Sequence, residues 1–174
     1  MKKLFTLLAA LLLPLAAAAH GPSPQKVEET ITIKAPPAKV WALVGDFSGW
    51  HKWHPAIQSS KTETKGSDTF RLLTLKGGGT LKERLKEKDN IGMRLKYEIT
   101  EGVLPVSDYY AVISVSPGAN ANESTVKWLG RFYRKYKLNP PIPPGQDDES
   151  ALKAVQGVFQ PGLANLKKIA ETGK

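Results

Sequence analysis

The 174-residue chain has no cysteine, only two methionines, and an aromatic content of 8%. Without cysteine there can be no disulfide framework, no thiol nucleophile, no thiolate metal site and no lipid-modified cysteine. Stability in an oxidising compartment would then have to come from packing alone. Carboxylates are scarce beside cations, 16 Asp and Glu against 25 Lys and Arg, and the formal net charge is +9. Also missing are a G-x-S-x-G elbow, a phosphate-cradling glycine loop that opens a helix, and an H-E-x-x-H pair. The run Gly77-Gly78-Gly79 lies between two strand-like segments and reads as a hairpin turn. These absences remove the commonest hydrolase, nucleotide-binding and zinc-enzyme signatures, so no cofactor and no metal is expected.

The one long apolar run is at the start. Lys2 and Lys3 precede Leu4 to Leu15, and Ala17-Ala18-Ala19 closes the run before His20-Gly21-Pro22. A short positive region, an apolar stretch and an A-x-A end form the layout of a secretory signal peptide. A membrane span needs about 20 apolar residues, more than are present here. Residues 1–19 are therefore expected to be a cleaved signal peptide and residues 20–174 a single periplasmic domain. The 155 residues that remain of 174 suffice for one buried core. Loss of Lys2 and Lys3 lowers the net charge from +9 to +7. For an exported basic protein, an acidic periplasmic partner protein is the fitting use of that charge, and nucleic acid is not. The competing reading is that lysine-rich strand faces are simply solvated.

Along the mature chain, Val27 to Lys34 alternates as a first strand. Ala35-Pro36-Pro37 ends it and opens a short helix over Ala38 to Val44, since proline is tolerated in a first helical turn. Asp46 can cap a second short helix over Phe47 to Trp53, which Pro55 terminates. Six strand-like segments follow at residues 57–65, 69–75, 79–87, 93–100, 107–116 and 124–134, divided by short turn sequences. That spacing predicts an antiparallel meander. After a proline-rich loop at Asn139 to Gly145, Asp147 or Asp148 can cap a last helix. Its stripe Leu152, Val155, Phe159, Leu163, Leu166 and Ile169 repeats every three or four residues. Pro161-Gly162 interrupts the stripe and predicts a kinked helix or two halves. The class is α+β: a seven-stranded antiparallel sheet with two short helices, gripping a long C-terminal helix.

Ala35-Pro36-Pro37-Ala38-Lys39-Val40-Trp41, Asp46-Phe47, Trp50, Trp53 and Pro55 resemble the opening signature of the polyketide cyclase/dehydrase and lipid-transport group of the START-like (SRPBCC) superfamily. Glu83-Arg84-Leu85, Asp89, Tyr97, Pro105 and Tyr109 fit the same pattern. The resemblance covers essentially the whole mature chain and implies a helix-grip fold with a ligand cavity between sheet and helix. More narrowly, the export signal, His20-Gly21-Pro22, the Trp50-to-Pro55 segment and Asn139-Pro140-Pro141 resemble MxaD-type periplasmic proteins of methanol oxidation. That resemblance implies an accessory role beside a methanol dehydrogenase and its cytochrome, with no catalytic residues to carry over.

Glu83 shares a strand face with Leu81 and Leu85, opposite Lys82, Arg84 and Lys86, so it should point inward. A buried carboxylate needs a partner. A three-residue turn at Lys76-Gly77-Gly78 sets Arg71 opposite Glu83 and Leu73 opposite Leu81. The pair is either a register-fixing ion pair or a ligand-orienting, acid–base pair of the cavity. Trp53, Leu73, Tyr97, Tyr109, Trp128, Phe132 and Phe159 complete the candidate cavity lining, aromatic and apolar as small-molecule pockets are. Val126, Trp128, Gly130 and Phe132 form the inward face of their strand. His51 and His54, three apart, can share a helical face, but two histidines without a third ligand make a poor metal site. The segment around them reads as a tryptophan-rich lid edge with the histidines partly exposed. His20 would be the mature N-terminus, expected as a flexible tail. The functions expected, in order, are a non-catalytic accessory or binding protein, a carrier of a hydrophobic small molecule or lipid, and an enzyme using Glu83, Arg71 and a cavity tyrosine.

Overall fold

The computed structural model describes residues 21–173; the expected signal peptide, 1–19, and His20 lie outside them. The elements are β1 (Gln25–Ile33), α1 (Pro37–Val44), a single 3-10 turn (Trp50–Lys52), β2 (Ile57–Lys65), β3 (Asp68–Leu75), β4 (Thr80–Asp89), β5 (Arg94–Gly102), β6 (Val106–Pro117), β7 (Ser124–Arg134) and α2 (Asp148–Thr172). The seven strands form one sheet in the order β1-β7-β6-β5-β4-β3-β2. Every neighbouring pair is antiparallel. The meander from β2 to β7 follows from its short turns, and only β1 travels across to close the far edge against β7.

Alternation makes the sheet two-faced. In β7, Val126, Trp128, Gly130 and Phe132 are buried while Lys127 and Arg131 are exposed. The buried face needs a cover. α2 supplies it through Ala151, Val155, Phe159, Leu163, Leu166 and Ala170, and packs chiefly on β1 and β7. Asp147 is the residue that caps α2, its Oδ1 accepting from the Ser150 N–H at 2.7 Å. Gly173, at φ 73°, closes the other end in the left-handed region.

The expected strands 57–65 and 124–134 are observed with those ends, and the others move by one or two residues at their termini. Two expectations are corrected. The second short helix, expected over Phe47 to Trp53, is only the 3-10 turn Trp50–Lys52. Asp46 spends its carboxylate on the Ser48 N–H and hydroxyl, a turn-forming use that competes with helix. Of the two forms expected for α2, the split into two halves is excluded: one helix of 25 residues runs through Pro161. Pro161 and Gly157, whose carbonyl goes without its usual donor, lie on the exposed side where water can serve that oxygen. The buried Phe159 and Leu163 hold both flanks to the sheet.

Candidate functional site

The site begins with the pairing of β3 and β4, which sets Arg71 against Glu83 and Leu73 against Leu81. The Arg71 Nε–H donates to Glu83 Oε2 at 2.5 Å. Its Nη1 donates to the Phe47 carbonyl at 2.7 Å, and the guanidinium lies 3.9 Å from the Trp50 ring centroid and 4.1 Å from that of Phe47. Arg71 is 0% exposed and Glu83 3%. Of the guanidinium nitrogens, Nη2 is buried without an acceptor. Burial pushes the Glu83 carboxyl above its ordinary range, and the adjacent Arg71 charge opposes that push. Desolvating two ions is expensive, and only the close pairing and the stacked rings make it tolerable here.

The segment after α1 supplies Trp50, Trp53 and His54, all buried. The Trp50 indole donates to the Val44 carbonyl at 3.0 Å and that of Trp53 to the Leu43 carbonyl at 3.2 Å. Asn165 on α2 donates to the Trp53 carbonyl at 2.7 Å. His54 joins the same helix, its Nε2 3.0 Å from the Val158 carbonyl, while its Nδ1 accepts from the Ala56 N–H at 3.2 Å. One neutral tautomer, protonated on Nε2, satisfies both contacts. Burial lowers the His54 pKa from 6.5 to about 4. The ring fits because Gly162 faces it: a Cβ there would stand 2.7 Å from the imidazole. Trp50 and Trp53 pack as expected, but His54, expected to be partly exposed, is buried against α2. Of the two histidines His51 is exposed and His54 buried, so they share no ligand-presenting face.

Between sheet and helix, Trp128 stacks on Phe159 at 4.1 Å between ring centroids. The Trp128 indole donates to the Tyr97 hydroxyl at 3.1 Å, and that oxygen lies 3.5 Å from the Tyr109 hydroxyl. Burial drives both phenols above their ordinary pKa, which makes them poor proton donors or acceptors at neutral pH. What remains open is a cavity of about 60 Å³. Of the nine expected lining residues, Leu73, Glu83, Tyr97, Tyr109 and Trp128 line it. Trp53, Arg71, Phe132 and Phe159 do not; they are buried in the packing that surrounds it. The lining also includes Trp50, His54, Leu81, Ile99, Leu104, Val155 and Val158. Strand and helix periodicity could have found Leu81 and Val155. No periodic signal marks Trp50 or His54, which sit in irregular chain.

The arrangement can bind a small apolar group against one carboxylate and two hydroxyls. It has little means of moving a proton, since Glu83 is committed to Arg71. Among the described residues no group of three His, Asp or Glu side chains could hold a metal ion. No described helix is long and apolar enough to cross a membrane.

A seven-stranded antiparallel sheet wrapped on a long C-terminal helix is the START-like helix-grip architecture. A START superfamily protein from Mycobacterium smegmatis superposes with a TM-score of 0.65 at 12% identity, over 86% of this chain and 99% of that one. The model of the polyketide cyclase / dehydrase and lipid transport family matches residues 24–171, and the chain belongs to that family. It is similar to the protein XoxI from Bacillus cereus, at 29% identity, TM-score 0.71, and coverage of 83% of this chain and 94% of that one. A protein from Bacillus thuringiensis is 30% identical, with TM-score 0.70 and coverage of 83% and 97%. No curated protein sequence matches the chain.

Proposed function

We propose that the chain is a non-catalytic accessory or binding protein, exported to the periplasm, that presents the outer face of its sheet to an acidic partner protein. The observation that carries this reading is the fullness of the interior. Indole and phenyl rings leave about 60 Å³, room for about four waters. Ligand pockets run to about 300–1,000 Å³, so a lipid or polycyclic cargo has no space here.

The surface carries the rest. The sheet register turns Lys61, Lys82, Arg84, Lys96, Lys127 and Arg131 outward, away from α2. Among the described residues no carboxylate pairs with Lys61, Lys96 or Arg131. Leu72, Val112 and Leu129 lie among them on that face, giving apolar contact between the charges. The resemblance to MxaD-type proteins supports a dehydrogenase and its cytochrome as the partners. Purified methanol dehydrogenase should reduce its cytochrome faster when the mature protein is added. Raising salt should cancel the gain, because exposed charges are screened beyond about 8 Å at physiological ionic strength. An unchanged rate at low salt, or a gain indifferent to salt, refutes the proposal.

A second reading, a carrier of a small hydrophobic molecule, is favoured by the apolar lining of the cavity around Leu73, Leu81 and Val155. Native mass spectrometry of the protein from its own periplasm separates the two. A bound hydrophobic molecule, recovered by organic extraction, supports the carrier and sinks the purely accessory role.

A further inference from the structure

A second and larger cleft, of about 320 Å³, opens on the concave side of the sheet where β2, β3 and β4 meet the turn at 46–48. α2 packs chiefly on β1 and β7, leaving this end of the concave face uncovered. Where a covered face would carry valine or isoleucine, the strands here carry Thr62, Thr64 and Thr69. Thr64 and Thr69 are register partners. None of the three hydroxyls is engaged in a hydrogen bond among the described residues. Solvation alone accounts for such a polar row.

Lys88, itself exposed, joins that row against the alternation of its strand. Along β4, Lys82, Arg84 and Lys86 face outward, and strict alternation would send Lys88 the same way. The β4–β5 register shifts between Leu85 and Glu87, after which Lys88 stands opposite the buried Leu95. A bulge of this kind re-aims a side chain, and here it turns a lysine into the concave cleft. Two carboxylates border the same cleft, yet neither takes that ammonium: Asp46 pairs with Lys52 at 3.4 Å, and Glu63 with Lys65 and Lys82 at 3.2 and 3.7 Å. An uncommitted ammonium lines the same cleft as a row of uncommitted hydroxyls and the apolar side chains of Phe47 and Leu85.

We propose that this cleft is a binding site for a small polyhydroxylated carboxylate. The carboxylate would take the Lys88 ammonium, its hydroxyls the threonine row, and its C–H face the edge of Phe47. The site is independent of the aromatic cavity, which lies on the other side of Arg71 and Glu83, and does not rest on the accessory role.

The test is an amide chemical-shift titration of the mature protein with D-gluconate. Saturable shifts are expected at residues 62–69 and 88, with none for D-glucose, which lacks the anion. Lys88→Gln should weaken binding about tenfold or more, the usual range for losing a charge-assisted hydrogen bond. Thr69→Val, which keeps the shape and removes the hydroxyl, should weaken it less and leave the remaining spectrum unchanged. The proposal is overturned by absence of saturation, by shifts confined to the aromatic cavity, or by undiminished binding to Lys88→Gln. Sulfate binding as tightly as gluconate overturns it too, since the cleft would then take any anion.

Discussion

Acid should unfold this protein partly through one residue, His54. Its imidazole is 2% exposed, and its two nitrogens are matched to a carbonyl that accepts and an amide that donates. A second proton would have to be placed on Nδ1, against the Ala56 N–H, in a site that excludes water. The folded pKa is therefore depressed from 6.5 to about 4. With a depressed folded pKa, the unfolded chain takes up the proton first. The stabilising contribution is complete above about pH 6.5 and is lost as pH falls through 4. At 1.36 kcal/mol per unit the whole shift is about 3 kcal/mol, of which about 2 kcal/mol disappears between about pH 7 and about pH 4.5. Replacing His54 by glutamine removes the titration. The variant loses packing at every pH, so the informative quantity is the change in stability between the two pH values. Urea unfolding followed by the fluorescence of the buried tryptophans should show wild type losing about 2 kcal/mol more than His54→Gln over that interval. The carboxylates held below their ordinary range, Glu28, Asp46, Asp147 and Glu171, are common to both proteins and cancel in the comparison. Equal losses in the two proteins would refute the assignment of a buried neutral imidazole.

Two glycines of α2 should respond with opposite signs. Gly162→Ala drives a methyl to 2.7 Å from the His54 ring and 3.1 Å from Trp128, and overpacking of this kind costs about 1–3 kcal/mol. At Gly157 a Cβ meets nothing within 4 Å, so alanine should gain about 0.5–1 kcal/mol in the same denaturation assay. Removing one member of the buried ion pair, as in Arg71→Met or Glu83→Leu, should cost about 3–5 kcal/mol, while the double variant recovers much of that loss. A double variant as unstable as the sum of the singles would show that the two side chains are not coupled. Asp147→Ala should cost about 1 kcal/mol through loss of the cap on the Ser150 N–H.

Features set by short-range pattern were legible in the sequence. The turn Lys76-Gly77-Gly78 and the alternation on either side suffice to place Arg71 opposite Glu83, because strand register follows from turn length. The inward set Val126, Trp128, Gly130 and Phe132 follows from period two alone. What failed was long-range. Nothing local says that His54 is buried: its cover comes from Val158 and Gly162, more than a hundred residues away. Gly162 looked like part of a helix break and is instead a close-approach position, which only the fold reveals. The same holds for the cavity. Phe132 and Phe159 are inward by strand and helix pattern, but whether an inward ring lines a void or fills it depends on the volumes of all its neighbours.

The ion pair takes on a different meaning once both sides of it are considered. On one side of Arg71 and Glu83 the concave face is apolar, with Leu73, Leu81 and the aromatic cavity; on the other it is polar, with the threonines and Lys88. A hydrophobic core that stops partway along a sheet leaves a boundary at which water can reach the last buried layer. Arg71 suits that boundary: its guanidinium plane lies against Phe47 and Trp50 while its Nε–H and Nη1 close on Glu83 and the Phe47 backbone. A leucine pair in the same place would pack at least as stably, by the general experience with buried ion pairs. It would not tie the 46–48 turn to β3 through a backbone carbonyl, nor fix which strand face meets the polar cleft. The pair is thus better understood as a partition that specifies where the core ends than as a source of stability. The double variant tests that separation, since it should keep most of the folding free energy while loosening the turn that borders the polar cleft.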